Sequence, residues 1–221
     1  MAEIAPHHHG NLREALIVAA MALLTEGGIA GLTLRRAAAR AGVSHAAPAH
    51  HFNGLPGLLT AVAARAFCQF GDAMELARDE AGPAPFARLA GICTGYLDFA
   101  TRHAGIFHLM FVSAEVDRDD PDLSAASDRA YLILRQACLP FATPGATEDE
   151  PLEVAVWSLV HGYALLGFNQ PLTPRRSANP PAFANPPAFA NPPAFAKPPA
   201  FAKPPAFADL LARLISGAAK P

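Results

Sequence analysis

The stretch Leu32–Phe52 constrains the fold of this chain most, because it carries the start and stop signals of two short helices. Thr33 is an N-cap candidate, and the alanine- and arginine-rich run behind it favours a helix that ends at Gly42 in a left-handed turn. Ser44 can cap a second helix, predicted over His45–His51. Two short helices about such a turn predict a helix-turn-helix over residues 33–52, whose second helix enters the DNA major groove by its N-terminal end. A helical hairpin without a DNA role is the alternative.

Side chains at the front of the second predicted helix are the candidates for reading bases. Imidazole nitrogens can donate to or accept from base edges, and alanine methyl groups can contact thymine methyls. The candidates are Ser44, His45, Ala46, Ala47, Ala49, His50 and His51. At the start of the first helix, Thr33, Arg35 and Arg36 are candidates for phosphate contact, since helix N-termini present N–H groups and a positive dipole end. A solvated helix face is the alternative for the two arginines.

The charge of this region is modest for a DNA-binding protein. Between Gly10 and Pro56 the chain carries four arginines and two glutamates, a net charge of +2, whereas the whole chain has a formal charge of −2. Because phosphate neutralisation supplies most DNA affinity, the histidines have to contribute. The field of the phosphates favours the protonated imidazole. We therefore expect DNA affinity to rise as the pH falls through the histidine range, from about pH 8 to about pH 6.

Longer patterns extend across the segment Asn11–Phe52. It contains Glu-Gly at residues 26–27, Leu-Thr-Leu-Arg at 32–35, Ala-Gly-Val-Ser at 41–44 and His-Phe at 51–52. These pieces resemble the N-terminal domain of TetR-type (TetR/AcrR) transcriptional regulators. Ala-Ala-Pro at 46–48, together with Trp157 and His161-Gly162, resembles the branch of that family with a WHG-like C-terminal domain. Two positions depart from the family pattern: Ala49 stands where a tyrosine is common, and Leu55 where a lysine is usual.

The resemblance implies a two-domain protein and a function for each domain. A three-helix helix-turn-helix domain over residues 1–80 would bind double-stranded DNA, and a helical domain over residues 83–221 would bind a ligand and form a homodimer. The Gly82–Pro85 segment, with two prolines, independently indicates a break there. Since no useful stretch alternates with period two, we predict an all-α fold. The function implied is a repressor released from its operator by a small, largely apolar effector molecule.

The C-terminal half supplies candidates for a pocket and for a dimer interface. Pockets pair aromatic walls with few polar groups, and the candidates for pocket lining, each with core packing as its alternative, are Tyr96, Phe99, His103, Phe107, Met110, Phe111 and Tyr131. By the resemblance, the last two helices, predicted over 149–168 and 209–215, form a four-helix bundle with a second copy. The candidates for that interface are Trp157, Val160, His161, Phe168, Leu210 and Leu214.

Other function classes lack their sequence features. We find no glycine-rich phosphate loop, nucleophile elbow or metal-spaced ligand set, so we expect no enzyme, no metal and no cofactor. No window approaches the roughly 20 apolar residues of a membrane span, and no signal peptide opens the sequence, which favours a cytoplasmic protein without a membrane partner. The three cysteines Cys68, Cys93 and Cys138 are widely spaced in apolar helical contexts, which favours buried reduced thiols. By the resemblance, His7–His9 belongs to an arm near the DNA backbone, with a metal site as the alternative.

Residues 179–208 are five copies of a six-residue unit, NPPAFA three times and then KPPAFA twice. Paired prolines exclude a helix or a central strand, so polyproline II is expected, with the five phenylalanines on one edge. We interpret the repeat as a tandem duplication tolerated in a surface loop. A spacer or a ligand for an aromatic-lined groove is the alternative. In that case the chain would be an interaction protein whose DNA-binding domain is weakened.

Overall fold

A computed structural model describes residues 9–142, 152–167 and 206–218, with the backbone alone at 9–11 and 218. Every regular element in these ranges is helical, which confirms the all-α prediction. The α-helices are α1 (His9–Gly27), α2 (Leu34–Arg40), α3 (Gly54–Glu80), α4 (Pro85–Arg102), α5 (Ala104–Val112), α6 (Pro121–Cys138), α7 (Leu152–Leu165) and α8 (Phe207–Ala218). Short 3-10 helices lie at Ile29–Gly31, Ala47–His50 and Leu139–Phe141. No helix within these ranges has the length and apolarity needed to span a bilayer.

The long helix α3 is the centre of the fold. It packs against α1 and α2 near its amino-terminal end and against α4, α5 and α6 along the rest of its length. Its apolar side chains, such as Leu58 and Met74, are fully buried in a core that continues through all of these helices. The buried Thr60 hydroxyl donates to the Pro56 carbonyl and accepts from the Asp117 backbone N–H, at 2.9 and 3.0 Å. This pair of hydrogen bonds fixes the loop after α5 to the first half of α3.

Two glycines allow α4 to lie unusually close to α3. A Cβ atom at Gly91 would stand 2.5 Å from the Ala77 carbonyl oxygen, and one at Gly95 would stand 2.5 Å from the Ala73 carbonyl oxygen. Real Cβ atoms do not approach a carbonyl so closely, so a side chain at either position would force the two helices apart. The four-residue spacing of the glycines puts both on the same face of α4.

The amino-terminal helices are joined to their neighbours by ion pairs and by one further close contact. Nη1 and Nη2 of Arg40 each donate to the Glu26 carboxylate at 2.6 Å, which ties α2 to the end of α1. Arg65 on α3 pairs with Glu14 on α1. A Cβ at Gly105 would lie 2.5 Å from the Leu24 carbonyl oxygen, so the start of α5 lies directly on the end of α1.

The structure corrects one expectation about the cysteines. All three are thiols, and Cys93 and Cys138 are buried as predicted, but Cys68 is exposed. Its position on α3 explains the difference, because Phe67 and Phe70 take the core-facing side of that turn and Cys68 faces away from it. Burial raises the pKa of the Cys138 thiol to about 12 and raises that of Cys93 as well. Neither buried thiol is therefore ionised near neutral pH.

Several sequence-based expectations concern residues outside the described ranges. These are Phe168, the His7–His8 part of the histidine arm, and the repeat up to residue 205. The last helix, predicted over 209–215, is present as α8, which begins at Phe207 in the last repeat. The helix break expected at Gly82–Pro85 is also present between α3 and α4. The division into two domains at that break stays a prediction.

Candidate DNA-binding segment and interior cavity

The second helix of the predicted helix-turn-helix has a different form from the one expected. Residues 45–46 form a turn, and Ala47–His50 is a 3-10 helix rather than part of an α-helix over 45–51. The Ala47 N–H donates to the Ser44 carbonyl at 3.0 Å, three residues back, and the Ala49 N–H donates to the Ala46 carbonyl at 3.2 Å. Pro48 is the reason, because in an α-helix its ring would collide with the Ser44 carbonyl and its nitrogen has no proton to donate.

This segment has a buried side and an exposed side. Pro48 and Phe52 are buried and anchor it to the core, and the Arg13 guanidinium lies 5.6 Å from the centre of the Phe52 ring. The other side, which we call the exposed edge, consists of Ser44, His45, Ala46, Ala49 and His50, all solvent-exposed. Ala47 and His51 are partly buried between the two sides. The exposed edge contains five of the seven residues predicted to read bases.

The residues predicted to contact phosphates lie at the start of α2. Thr33 caps the helix as expected, since its hydroxyl accepts from the Arg36 backbone N–H at 3.1 Å. The Arg36 side chain is exposed but donates to the Gly31 carbonyl. Arg35 is also exposed, and its side chain has no hydrogen bond or ion pair within the described part of the chain. The Arg35 cation is thus available to an external anion.

A cavity of about 220 Å³ lies between α3, α4, α5, α6 and α7. Its walls are mostly aromatic, and the residues that line it are Phe67, Phe70, Met74, Tyr96, Phe111, Arg118, Ser127, Ala130, Tyr131, Leu134 and Trp157. Three of the predicted lining residues are among them: Tyr96, Phe111 and Tyr131. Trp157, which was assigned to a dimer interface, lines this cavity as well.

The remaining predicted pocket residues lie outside the cavity lining. Met110 is fully buried, and its carbonyl accepts from Arg118 at 2.6 Å. Phe107 is buried against the Phe111 ring, with centroids 4.8 Å apart. The Phe99 and His103 rings pack against each other, with centroids also 4.8 Å apart. These four residues support the cavity walls without lining them.

A hydrogen bond between α4 and α7 lies beside the cavity. The Tyr96 hydroxyl and Nδ1 of His161 share a hydrogen bond of 2.6 Å, and the imidazole tautomer decides which of the two donates. Burial raises the pKa of Tyr96 and lowers that of His161, so both groups remain neutral at neutral pH. The two residues join α4 and α7 at the point where Trp157, one turn earlier on α7, reaches the cavity.

The residues predicted for a dimer interface differ in their solvent exposure. Val160 is fully buried within the protomer and has no surface left for a partner. Leu210 and Leu214 on α8 are partly exposed, whereas Leu211 and Ile215 are buried. The exposed apolar side chains around α7 are instead Val154, Leu165 and Leu166, exposed by 48%, 55% and 64%.

The other residues that line the cavity were not identified from the sequence as candidate ligand contacts. Phe67 and Phe70 could be identified as apolar residues of α3, but their sequence positions do not distinguish a cavity wall from packed core. Met74 and Ser127 carry no local signal either. Arg118 stands between Asp117 and Asp119, and its place at the cavity follows from the path of the loop between α5 and α6.

Two family models match the chain. One, described as bacterial regulatory proteins of the tetR family, matches residues 16–62, and the other, described as a tetracyclin repressor-like C-terminal domain, matches residues 89–184. The first match contains the helix-turn-helix and its exposed edge. The second contains most of α4, all of α5 to α7, and most of the cavity lining. No curated protein matches the chain at a significant level.

Solved structures share the fold. A protein of unknown function from Rhodococcus sp. RHA1 is 31% identical, with a TM-score of 0.61 over 74% of this chain and 86% of that one. The TetR-like transcriptional regulator LfrR from Mycobacterium smegmatis, solved in complex with proflavine, is 19% identical, with a TM-score of 0.55 over 96% of this chain and 98% of that one. The TetR family transcriptional regulator PfmR from Thermus thermophilus is 21% identical, with a TM-score of 0.51 over 69% and 83%. With both family models matched and the helix-turn-helix in place, the chain belongs to the TetR family of DNA-binding transcriptional regulators.

Proposed function

We propose that this protein is a dimeric repressor that leaves its operator when a small, largely apolar molecule fills the interior cavity. The observation that carries the DNA-binding part is the division of the 44–52 segment into a buried anchor and an exposed edge. Because Pro48 and Phe52 hold the segment in the core, His45 and His50 are presented to solvent on a rigid support. A repressor of this family would act in the bacterial cytoplasm, where its DNA lies.

The exposed edge fits the major groove as a base-reading surface. Imidazole groups at His45 and His50 can hydrogen-bond to base edges, and the Ala46 and Ala49 methyl groups can contact thymine methyls. The exposed Arg35 side chain at the start of α2 supplies a phosphate contact. The exposed edge gives the sequence preference, and Arg35 supplies affinity that does not depend on sequence.

The cavity is connected to the DNA-binding segment through α3. The first turns of α3 follow directly on Phe52 and pack against α1 and α2, and its later turns supply Phe67, Phe70 and Met74 to the cavity wall. A ligand that moves these side chains therefore acts on the helix that supports the exposed edge. The complex of LfrR with proflavine supports a ligand-responsive function for this fold. Assignment to the WHG-like branch stays a prediction.

Dimer formation is supported by the apolar surface beside α7 and α8. Leu165 is exposed by 55%, and Leu166 follows it with 64% exposed. Leu165→Asp is expected to yield a monomer in light scattering, because a buried carboxylate in a helical interface costs several kcal/mol. Leu76→Asp is the matched control: Leu76 is exposed by 62% on α3, and its replacement should leave the dimer intact.

A gel shift with the DNA upstream of the protein's own gene tests the proposed function. The protein is expected to shift this DNA at low salt, to lose affinity steeply as salt rises, and to bind more tightly as the pH is lowered from about 8 to about 6. Absence of any shift, or a shift that does not depend on salt, would contradict DNA binding through the exposed edge and Arg35. A shift independent of pH would contradict the role given to the histidines.

A further inference from the structure

We propose that the cavity binds a planar aromatic acid, with one or two fused rings held by the aromatic walls and an anionic group held by Arg118. This inference rests on the proposed function, since it names the class of effector that the cavity would sense. It is carried by the size of the cavity, the packing of its walls, and the way its polar groups are already engaged by the protein.

The size of the cavity fits one or two rings. A cavity of about 150 Å³ lined by apolar side chains is enough to bind benzene, and this one measures about 220 Å³. Its ring walls meet edge to face: Phe67 and Phe111 have centroids 5.3 Å apart, and Phe70 and Tyr96 have centroids 4.7 Å apart. Walls of this kind offer both ring faces and ring edges, which favours a planar aromatic ligand over a flexible aliphatic one.

The hydroxyl groups in the lining are already hydrogen-bonded within the protein. The Tyr96 hydroxyl is bonded to Nδ1 of His161. The Tyr131 hydroxyl donates to Glu153 at 3.2 Å, and the Ser127 hydroxyl donates to the Ser124 carbonyl at 2.9 Å. A ligand that needs a strong hydrogen-bond donor must therefore find it elsewhere in the lining.

Arg118 is that donor. It donates from one guanidinium nitrogen to the Met110 carbonyl at 2.6 Å and from the other, at 3.5 Å, to the Ser113 carbonyl. A guanidinium has five N–H groups in a fixed plane, so N–H groups remain to meet a carboxylate. The hydrogen bond to the Met110 carbonyl orients the exposed Arg118 side chain, which lowers the entropy lost when a ligand binds.

The charge of the lining selects an anion over a cation. Arg118 is cationic, and none of the described residues that line the cavity is acidic. The nearby Glu153 carboxylate accepts from Tyr131 and lies 3.6 Å from the Arg135 guanidinium, so its charge is compensated. An aromatic cation would bring an unpaired charge into an apolar site beside an arginine, which is unfavourable.

Isothermal titration calorimetry of the full-length protein tests the inference with three ligands of the same ring system: 2-naphthoate, the neutral 2-naphthamide and the 2-naphthylmethylammonium cation. Wild type is expected to bind the naphthoate about tenfold more tightly than the amide, a ratio that corresponds to about 1.4 kcal/mol, and the ammonium ion least tightly. In Arg118→Gln the ratio of naphthoate to amide affinity should fall to near one. The matched control Arg102→Gln, which removes an exposed cation from the far end of α4, should keep the wild-type ratio.

The inference is overturned if the amide or the ammonium ion binds as tightly as the naphthoate, if none of the three binds, or if the tenfold ratio survives in Arg118→Gln. Should Arg118→Gln fail to fold, the ranking of the three ligands on wild type decides alone. The calorimetry can contradict the inference without contradicting the proposed function, because a repressor released by another kind of molecule would still be a repressor. The proposed function is contradicted only if the ligand-free protein does not bind DNA, whichever of the three ligands binds most tightly.

Discussion

At the scale of single residues, Arg35 differs from the other arginines of α1 and α2. Arg40 is held by Glu26, whose pKa that hydrogen bond lowers, and the Arg36 guanidinium is held by the Gly31 carbonyl. Arg13 lies over the Phe52 ring. Most of the arginines of α1 and α2 therefore already contact groups within the protein. Arg35 is the residue whose loss should weaken phosphate binding most.

Arg35→Ala is expected to weaken DNA binding about equally for all sequences and to reduce the slope of log affinity against log salt by about one, because one phosphate contact is lost. Fluorescence anisotropy over a salt series measures both quantities. Arg88→Ala, which removes a partly exposed arginine that pairs with Asp79 at the carboxyl-terminal end of α3, far from α1 and α2, should leave the slope unchanged. A wild-type slope in the Arg35 variant would remove this residue from the DNA contact.

His161 makes stability depend on pH. Burial lowers its pKa below the ordinary value of 6.5, so the unfolded chain binds a proton more readily than the folded protein. The stability contributed by neutral His161 is complete above about pH 6.5 and is lost as the pH falls toward the lowered folded pKa.

Urea unfolding at several pH values between about 7.5 and 5 measures this loss. His161→Gln should be less stable than wild type at the upper pH but lose less stability on acidification, since it cannot be protonated there. An equal loss in wild type and variant would show that other groups cause the pH dependence.

Sequence reasoning located residues with local signals and missed those defined by tertiary contacts. Thr33 could be identified as a cap because an N-cap has a local pattern, and the exposed edge follows from its position after the turn. Arg118 and the pairing of Tyr96 with His161 could not be derived, since these contacts depend on how α4, α7 and the loop after α5 meet. An aromatic side chain in a helix has the same sequence signature whether it lines a cavity or packs in the core.

At the scale of helices, the contact between α3 and α4 depends on the two glycines of α4. Gly91→Ala is expected to destabilise the protein by about 1–3 kcal/mol, the usual cost of overpacking, because the new methyl group would meet the Ala77 carbonyl. The free energy of unfolding in urea measures the change. Gly217→Ala on α8 is the control, since a Cβ there meets nothing within 4 Å. If both variants unfold like wild type, the close packing of α3 and α4 does not contribute to stability.

The type and order of the helices were predictable from the sequence, but the 3-10 form of the 44–52 segment was not. Apolar periodicity and caps indicate α2, and the proline at the start of α6 marks where that helix begins. The 45–51 segment is predicted to be a helix because Ser44 can cap one directly after the turn at Gly42. Pro48 changes its backbone hydrogen bonds to the 3-10 type, and a proline near a helix start does not by itself distinguish the two forms.

At the scale of the whole molecule, the repeat is expected to be dispensable. α8 returns to pack against α7, with the Phe207 and Tyr163 rings 5.3 Å apart and Leu211 fully buried. Deletion of residues 179–202 should therefore leave both the unfolding transition and DNA binding unchanged, because loop length contributes little to the free energy of closure. Thermal unfolding and the gel shift check the two properties. Loss of DNA binding by a folded deletion variant would give the repeat a function in this protein.

The central claim, that a paired molecule presents two exposed edges to DNA, is tested most directly by selecting bound duplexes from a random library. Wild type should enrich an inverted repeat whose half-site centres lie about one helical turn of roughly 10 base pairs apart, or a multiple of it. The double variant His45→Ala/His50→Ala should lose the preference at specific bases in each half-site, while Arg88→Ala, beside the carboxyl-terminal end of α3, should enrich the wild-type sequence. The account is contradicted if wild type enriches no such repeat, or if the double variant selects the same sequence as wild type.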